Sequence, residues 1–368
     1  PYYKMRLRKG FFWYYLQHIN RSFPVEADDQ LPCRSFKSGK LLMRILVFNR
    51  TISVEFSHIL TDGTGGLEFL KSILITYFKQ LGQAIPEEIK YLKPGEKIKE
   101  EEFEDAYKRY FKKKLPYVPR FPNAFHLPFK LKKKPRLSAI SIKVPLKEIN
   151  QLAKEKNVSI TTYLVAVYLM VLQDIYEQLS PQEKKKANKI LRIQVPVNLR
   201  PLYPTSTMRN FSLFVMPEID LRLGKYTFDE ILTKVYYLIK LETDKKLINK
   251  VISRNVGSEK RPEVRSAPLL LKSLILNYKY KSLGANLYSG VITNLGKVDI
   301  SPEINSKIEN FLFAPPPPNT TLKVNCGVVG FDNNLVMYFG NISKSEELEN
   351  KIEQWLQKQG IKPIVERF

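Results

Sequence analysis

The stretch FSHILTDGTGG, residues 56–66, places a histidine after an alternating apolar run and an aspartate four residues later, with three glycines crowded around it. It reads either as a catalytic elbow or as a strand ending in a glycine-rich turn. Upstream, LLMRILVFN (41–49) and TISVEFSH (51–58) form a hairpin signal around Asn49-Arg50. The period of two puts Ile52, Val54, Phe56 and His58 on one face, so the pattern predicts His58 at the end of a buried row. Downstream, Leu67, Leu70, Ile73, Leu74, Tyr77, Phe78 and Leu81 recur at helical spacing, predicting a helix from about Gly65. Its positive end would face the 58–63 turn.

The physics of the pair permits chemistry. An imidazole near its ordinary pKa accepts a proton at neutral pH, which a general base must do. Asp62, followed by small residues, could fold back to hold that imidazole in one tautomer, or could bind an arginine and lock the turn. The plainer alternative is a packed or surface histidine followed by an ordinary Asp-Gly turn.

The rest of the chain sets the frame. Its 368 residues exceed one ordinary core, so two domains or lobes are expected. Residues 1–32 are aromatic and irregular, and FFWYYL (11–16) is too dense to be expected at the surface. From 86 to 136 the composition shifts. EKIKEEEFED is acidic, and residues 107–136 carry eleven Lys or Arg, no Asp or Glu and five prolines. Such a segment predicts a mobile, solvated connection. The boundary therefore falls there, giving an N-terminal lobe over 1–136 and a C-terminal lobe over 137–368.

In the second lobe, SAISIKVP (138–145) reads as a strand and residues 145–157 as an amphipathic helix. VSITTYLVAVYLMVLQDIYEQL is a helix apolar nearly all round and hence buried. KILRIQVPVNL (189–199) and FSLFVMPEID (211–220) read as strands, followed by a helix. ANLYSGVITNLG, LKVNCGVVGF and NLVMYFGN read as three further strands, with ELENKIEQWLQKQ as a closing helix. Pro315–Pro318 reads as a stiff surface loop. Strand and helix alternate in both halves, which predicts an α/β fold with mixed sheets, each lobe a two-layer sandwich.

Cys33 and Cys326 are far apart and have no ligand partners nearby, which argues against a disulfide framework or a structural zinc site and fits a reducing cytoplasm. The nearest approach to a membrane span, TTYLVAVYLMVL (161–172), has the length of a core helix. The chain opens at Pro1 without a charged-then-apolar leader. Net charge is +24, a field that attracts any polyanion.

HILTDG matches the His-x-x-x-Asp-Gly motif of the chloramphenicol-acetyltransferase-like superfamily of coenzyme-A-dependent acyltransferases, which includes peptide-synthetase condensation domains and alcohol acetyltransferases. Pro196-Val-Asn-Leu-Arg200, Arg209-Asn210-Phe211 and Thr293-Asn294-Leu295-Gly296 resemble later family segments, so the likeness spans nearly the whole chain. PYYKMRLRKGFFWYYL and VPVNLRPLYPTSTMRNFS look most like bacterial alcohol acetyltransferase-like proteins. The resemblance implies two lobes meeting at a central channel, with donor thioester and acceptor entering from opposite faces. It implies His58 as general base, Asp62 paired with an arginine, for which Arg200 is the candidate, and Gly63 as a possible oxyanion donor. Asn210 would support the loop. Asn294 would either reach the cleft or make a plain turn between strands. No bound cofactor is implied. The donor would be an acyl-CoA, such as acetyl-CoA, and the acceptor a small alcohol or amine.

Two departures stand out. Arg209 replaces the family's usual glycine before Asn210, which questions the turn there. A strand and helix that the family carries ahead of PYYK are also expected to be missing.

His18 and His126 have no partner in sequence and read as packing or surface residues. The blocks Lys112–Lys114 and Lys132–Lys134 read first as solvated faces. Coenzyme A phosphates would attract them, and the excess charge suits an acyl carrier protein or an anionic membrane surface. A non-catalytic lobe pair that binds a carrier is a further alternative. Nucleic acid is a weaker one, because Lys, Arg and Tyr interleave at 107–120 but no reading module is present.

Overall fold

The computed structural model describes residues 2–28, 34–37, 39–93, 95–97, 99–113, 116, 121–134 and 136–368, with the side chains of 277–283 outside the description. Thirteen strands are formed by these residues. They are β1 (Met5–Lys9), β2 (Tyr14–His18), β3 (Val25–Ala27), β4 (Met43–Phe48), β5 (Thr51–Phe56), β6 (Ser138–Pro145), β7 (Ile190–Asn198), β8 (Ser212–Val215), β9 (Glu218–Asp220), β10 (Gly290–Val298), β11 (Val324–Phe331), β12 (Asn334–Asn341) and β13 (Ile364–Arg367).

An eight-stranded mixed sheet runs β13-β6-β12-β11-β10-β7-β8, with β9 also paired to β7. Strand β10 is parallel to both neighbours, and the other pairs are antiparallel. A three-stranded sheet, β3-β4-β5, and the β1-β2 hairpin precede it. The hairpin is joined to the small sheet by a bridge from Arg6 to Leu41. The chain is thus α/β with mixed sheets, as the alternation of elements implies.

Strand β11 is buried at every position, so both faces of the large sheet are covered. One face packs on the Ile160–Glu177 helix, whose Tyr163, Leu164, Val167, Tyr168 and Leu172 join Val324, Cys326 and Val328 in a single core. That helix is apolar all round because helices Phe228–Glu242 and Glu347–Lys358 pack on its remaining sides. The opposite face gathers Val329 and Phe331 with Phe311, and the Gly63–Gln80 helix adds Leu67 and Leu70 to the same cluster. That helix buries Phe69 against Tyr3, Met43 and Leu60 of the N-terminal segment. One helix is therefore shared between the small sheet and the large one. Phe69 is buried and Leu67 and Leu70 are half-buried, so the shared helix ties the two halves by apolar contact on both sides, at about 25 cal/mol for each Å² removed from water.

Four sequence expectations are corrected. The FFWYYL stretch is exposed: Phe11, Trp13 and Tyr15 lie at or beside the tip of a two-stranded hairpin, which has only one face to bury. The 86–136 segment is a solvated connection only in part: its described residues from 93 to 101 are exposed, but later ones are buried. Phe125 and Leu127 enter the main core, Ala124 is buried beside them, and Phe125 N donates to Ile190 O at 2.7 Å, continuing the sheet edge. Tyr107, Tyr110 and Phe111 pack with Tyr203 and Phe211. Lysine spacing hid these alternate apolar residues. The 211–220 run breaks at Pro217 into β8 and β9, since proline cannot donate to a ladder. Finally, the proline run is a surface loop only in its middle: Pro316 and Pro317 are exposed, but Pro315 is buried and Asn325 Nδ2 donates to Pro316 O at 2.9 Å, which holds the run against the sheet.

Cys326 is a buried free thiol, whereas Cys33 and Lys114 lie outside the described residues. Among the described residues no single helix is long and apolar enough to cross a membrane, and no group of three His, Cys, Asp or Glu could hold a metal.

Glycine at 327 is required by close approach. A Cβ there would lie 2.1 Å from the Phe313 carbonyl oxygen. Gly327→Ala is expected to push the 311–318 segment outward at a cost of about 1–3 kcal/mol. A urea midpoint shift at unchanged m-value measures it, and an unshifted midpoint refutes the packing argument.

Candidate active site

The site is assembled where β5 meets the shared helix. The strand ends at Phe56, two residues before the sequence pattern predicts. Ser57 N donates to Leu42 O at 2.9 Å, and Leu60 N then returns to Ser57 O at 2.8 Å, winding the chain into a turn. His58 consequently lies in the turn and is exposed, rather than closing a buried strand face.

Asp62 is the N-cap of the following helix: its Oδ1 accepts from Gly65 N at 3.1 Å. This satisfies one of the donors that a helix start leaves without an internal acceptor. Its Oδ2 accepts from Arg200 Nη1 at 2.8 Å and from Phe211 N at 2.8 Å. The residue is 3% exposed. Between the two arrangements open to Asp62, tautomer holder or arginine partner, the geometry is that of the arginine partner.

Arg200 is similarly saturated. Its Nε donates to Thr207 O at 3.1 Å, Nη2 to Arg209 O at 2.8 Å, and Nη1 also to Asn198 Oδ1 at 3.2 Å. The guanidinium thus fastens the 198–211 loop to itself and to the shared helix. Arg209, where the resemblance implies glycine, makes its carbonyl contribution without a left-handed backbone, so a side chain is tolerated. Asn210 Nδ2 donates to His58 O at 3.1 Å and its Oδ1 accepts from Ser212 Oγ, which fixes the histidine's backbone from the second half of the chain.

The imidazole itself has no hydrogen-bond partner among the described residues; the Phe56 ring stands edge-on to it, with centroids 5.9 Å apart. Partial desolvation lowers the His58 pKa below the usual imidazole value near 6.5, and the nearby Asp62 charge opposes this more weakly. The lowered pKa favours the neutral ring, the form that presents an acceptor nitrogen.

The glycines differ in purpose. At Gly65 a Cβ would fall 2.0 Å from Thr61 Oγ1, and at Gly66 2.3 Å from the Phe56 ring, so both are demanded by the helix pressing on its own turn. At Gly63 it would meet Leu295 at 3.4 Å and Phe313 at 3.5 Å, ordinary contacts. Packing does not require glycine at 63. Its amide is nonetheless the first of the helix, with the dipole behind it. Asn294 makes no turn between strands: it lies within β10 where the register with β11 shifts, and there its Nδ2 donates to Thr161 Oγ1 and its Oδ1 accepts from Gly296 N.

Several supporting residues left no sequence signal. Tyr2 OH donates to Leu60 O at 2.6 Å, Tyr3 OH to Gly65 O at 2.8 Å, and Thr61 Oγ1 to Met208 O at 2.7 Å. These bonds cross long separations, and no periodicity marks them. Beside the turn lies a cavity of about 650 Å³ lined by Tyr2, Tyr14, Tyr15, Ile59, Phe103 and Arg209 among others.

No protein-family profile matches the chain, and no curated protein matches it. Solved structures do. TRI101 of F. sporotrichioides, complexed with coenzyme A and T-2, superposes with a TM-score of 0.64 at 10% identity over 98% of this chain and 87% of that one. The epimerization domain from the third module of tyrocidine synthetase B gives 0.58 at 11% identity, over 97% and 83%. Polyketide synthase associated protein 5 from Mycobacterium tuberculosis gives 0.55 at 12% identity, over 97% and 86%. The chain therefore has the chloramphenicol-acetyltransferase-like, condensation-domain-like fold, built of two lobes.

Removing either member of the Asp62–Arg200 pair strands the other in a poorly solvated place. Asp62→Asn and Arg200→Gln are each expected to destabilise the protein by about 3–5 kcal/mol. The double variant should lose much less than the two together. Equilibrium urea denaturation of all four proteins measures this, and simple additivity would refute the coupling.

Proposed function

We propose that the chain is an acyltransferase that moves an acyl group, acetyl foremost, from an acyl-CoA thioester to an alcohol or amine, with His58 as general base. The observation that carries this reading is an exposed imidazole, with no hydrogen-bond partner among the described residues, on a turn that Asp62, Arg200 and Asn210 hold in place. A rigid base with a free acceptor nitrogen is what proton abstraction from a bound hydroxyl requires.

The step balances without a covalent enzyme intermediate. His58 takes the acceptor's proton as its oxygen or nitrogen bonds to the thioester carbonyl carbon. The carbonyl electron pair moves to oxygen, where the Gly63 amide at the helix start is the candidate donor. On collapse the carbon–sulfur bond breaks, and the thiolate leaves with the proton returned by His58. Asp62 and Arg200 are positioning residues in this scheme. The fold shared with TRI101, whose structure was solved in complex with coenzyme A, supports the donor class.

A second reading keeps the same chemistry with the thioester on a phosphopantetheinyl carrier protein. The net charge of +24 favours it, since acidic carriers are attracted to such a field, and a peptide-synthetase domain shares the fold.

Thiol release from acetyl-CoA in the presence of a panel of alcohols and amines tests the proposal. His58→Ala is expected to lower kcat/KM by roughly 10²–10⁴-fold without lowering the melting temperature, because the side chain is exposed. Release only from a carrier-bound thioester selects the second reading. A variant as fast as the parent overturns both.

A lowered imidazole pKa keeps the base unprotonated to more acid pH. The acid limb of kcat/KM should therefore fall below 6.5, and a limb above that value would contradict the assigned base.

A further inference from the structure

Two segments far apart in sequence are fixed together at one edge of the molecule. Leu269 N donates to Phe11 O at 2.9 Å, and Lys272 Nζ donates to Phe12 O at 2.9 Å. The same ammonium stands 3.6 Å from the centre of the Trp13 ring, and Lys272 is only 5% exposed. The hairpin tip and the Leu269–Leu283 helix thus form one surface.

Leu269 and Lys272 of this helix are buried, while Leu270, Leu271, Leu274, Ile275 and Leu276 are exposed, Leu270 by 73% and Leu274 by 64%. Phe11, 71% exposed, and Phe12 continue this apolar surface from the hairpin. Contiguous apolar patches on soluble monomers are usually functional when large.

Charge identifies the occupant. Residues 4–21 carry five Lys or Arg and no Asp or Glu, and residues 245–283 carry ten Lys or Arg against Glu259 and Glu263. Arg8 and Lys9 are exposed on the strand that leads into the hairpin tip, and Arg261 and Arg265 are exposed in the segment that leads into the helix, where Arg265 O accepts from Lys272 Nζ at 3.3 Å. Exposed apolar and aromatic side chains flanked by cationic segments match the boundary between anionic headgroups and acyl chains. A second copy would match the apolar centre but bring equally cationic segments against these.

We propose that this face docks the protein on an anionic lipid bilayer. The inference does not depend on the acyltransferase reading, because its test involves no catalysis.

The full chain is mixed with vesicles of phosphatidylcholine alone or of phosphatidylcholine with phosphatidylglycerol, and flotation is measured. Binding is expected only with the anionic vesicles and should weaken as salt rises. In a Trp355→Phe background, Trp13 emission should shift to the blue on binding. Leu270→Ser/Leu274→Ser should weaken partitioning on the order of ten- to a hundredfold while circular dichroism and melting temperature stay unchanged. Absence of flotation by the parent protein, or equal flotation by the double variant, overturns the proposal. So does vesicle-independent dimerisation that the double variant abolishes, which would assign the face to a second copy.

Discussion

One carboxylate organises this molecule. Asp62 caps the helix shared between the two halves with one oxygen and, with the other, takes a guanidinium and a backbone amide from residues 138 and 149 positions further along. Burying a carboxylate is costly unless its lone pairs are met, and here three donors meet them. The histidine turn, the start of the helix and the 198–211 loop are consequently a single rigid unit. Helix packing holds the halves in contact; the ion pair sets their register at the place where the imidazole emerges.

The fold was largely legible. Long apolar periods at 161–177 and 324–341 show what they are because neighbouring layers bury them on all sides. The hairpin at Asn49-Arg50 was equally plain, with Asn49 adopting the positive φ that such a turn favours. Misreadings arose where composition stood in for geometry. Aromatic density at 11–16 suggested a core, yet the hairpin tip is met only by backbone bonds and the Lys272 ammonium, which leave most of its rings exposed. Lysine and proline at 107–136 suggested solvation, yet Phe125 and Leu127 alternate inward among them.

At the site, His58 and Asp62 were legible from spacing with Gly63 behind them. The pairing of Asp62 with Arg200 was open to sequence only through family resemblance, since nothing local relates positions 62 and 200. Tyr2, Tyr3 and Thr61 were not legible at all. Each acts through a single hydroxyl on a distant carbonyl, an interaction that leaves no pattern in either partner's neighbourhood. The β1-β2 hairpin has a double part in this arrangement: its Tyr14 and Tyr15 line the cavity next to Ile59, while Phe11 and Phe12 at its end face outward.

Because both oxygens of Asp62 are already engaged, the carboxylate acts on the imidazole only through its charge, and the walls around the ring weigh more in its proton affinity. Packing on the Phe56 side and the depth of surrounding protein govern how dry the ring is, and dryness governs basicity. Evolution, or an engineer, could retune the operating pH of such a centre by reshaping a few apolar neighbours, leaving the motif and its ionic lock untouched.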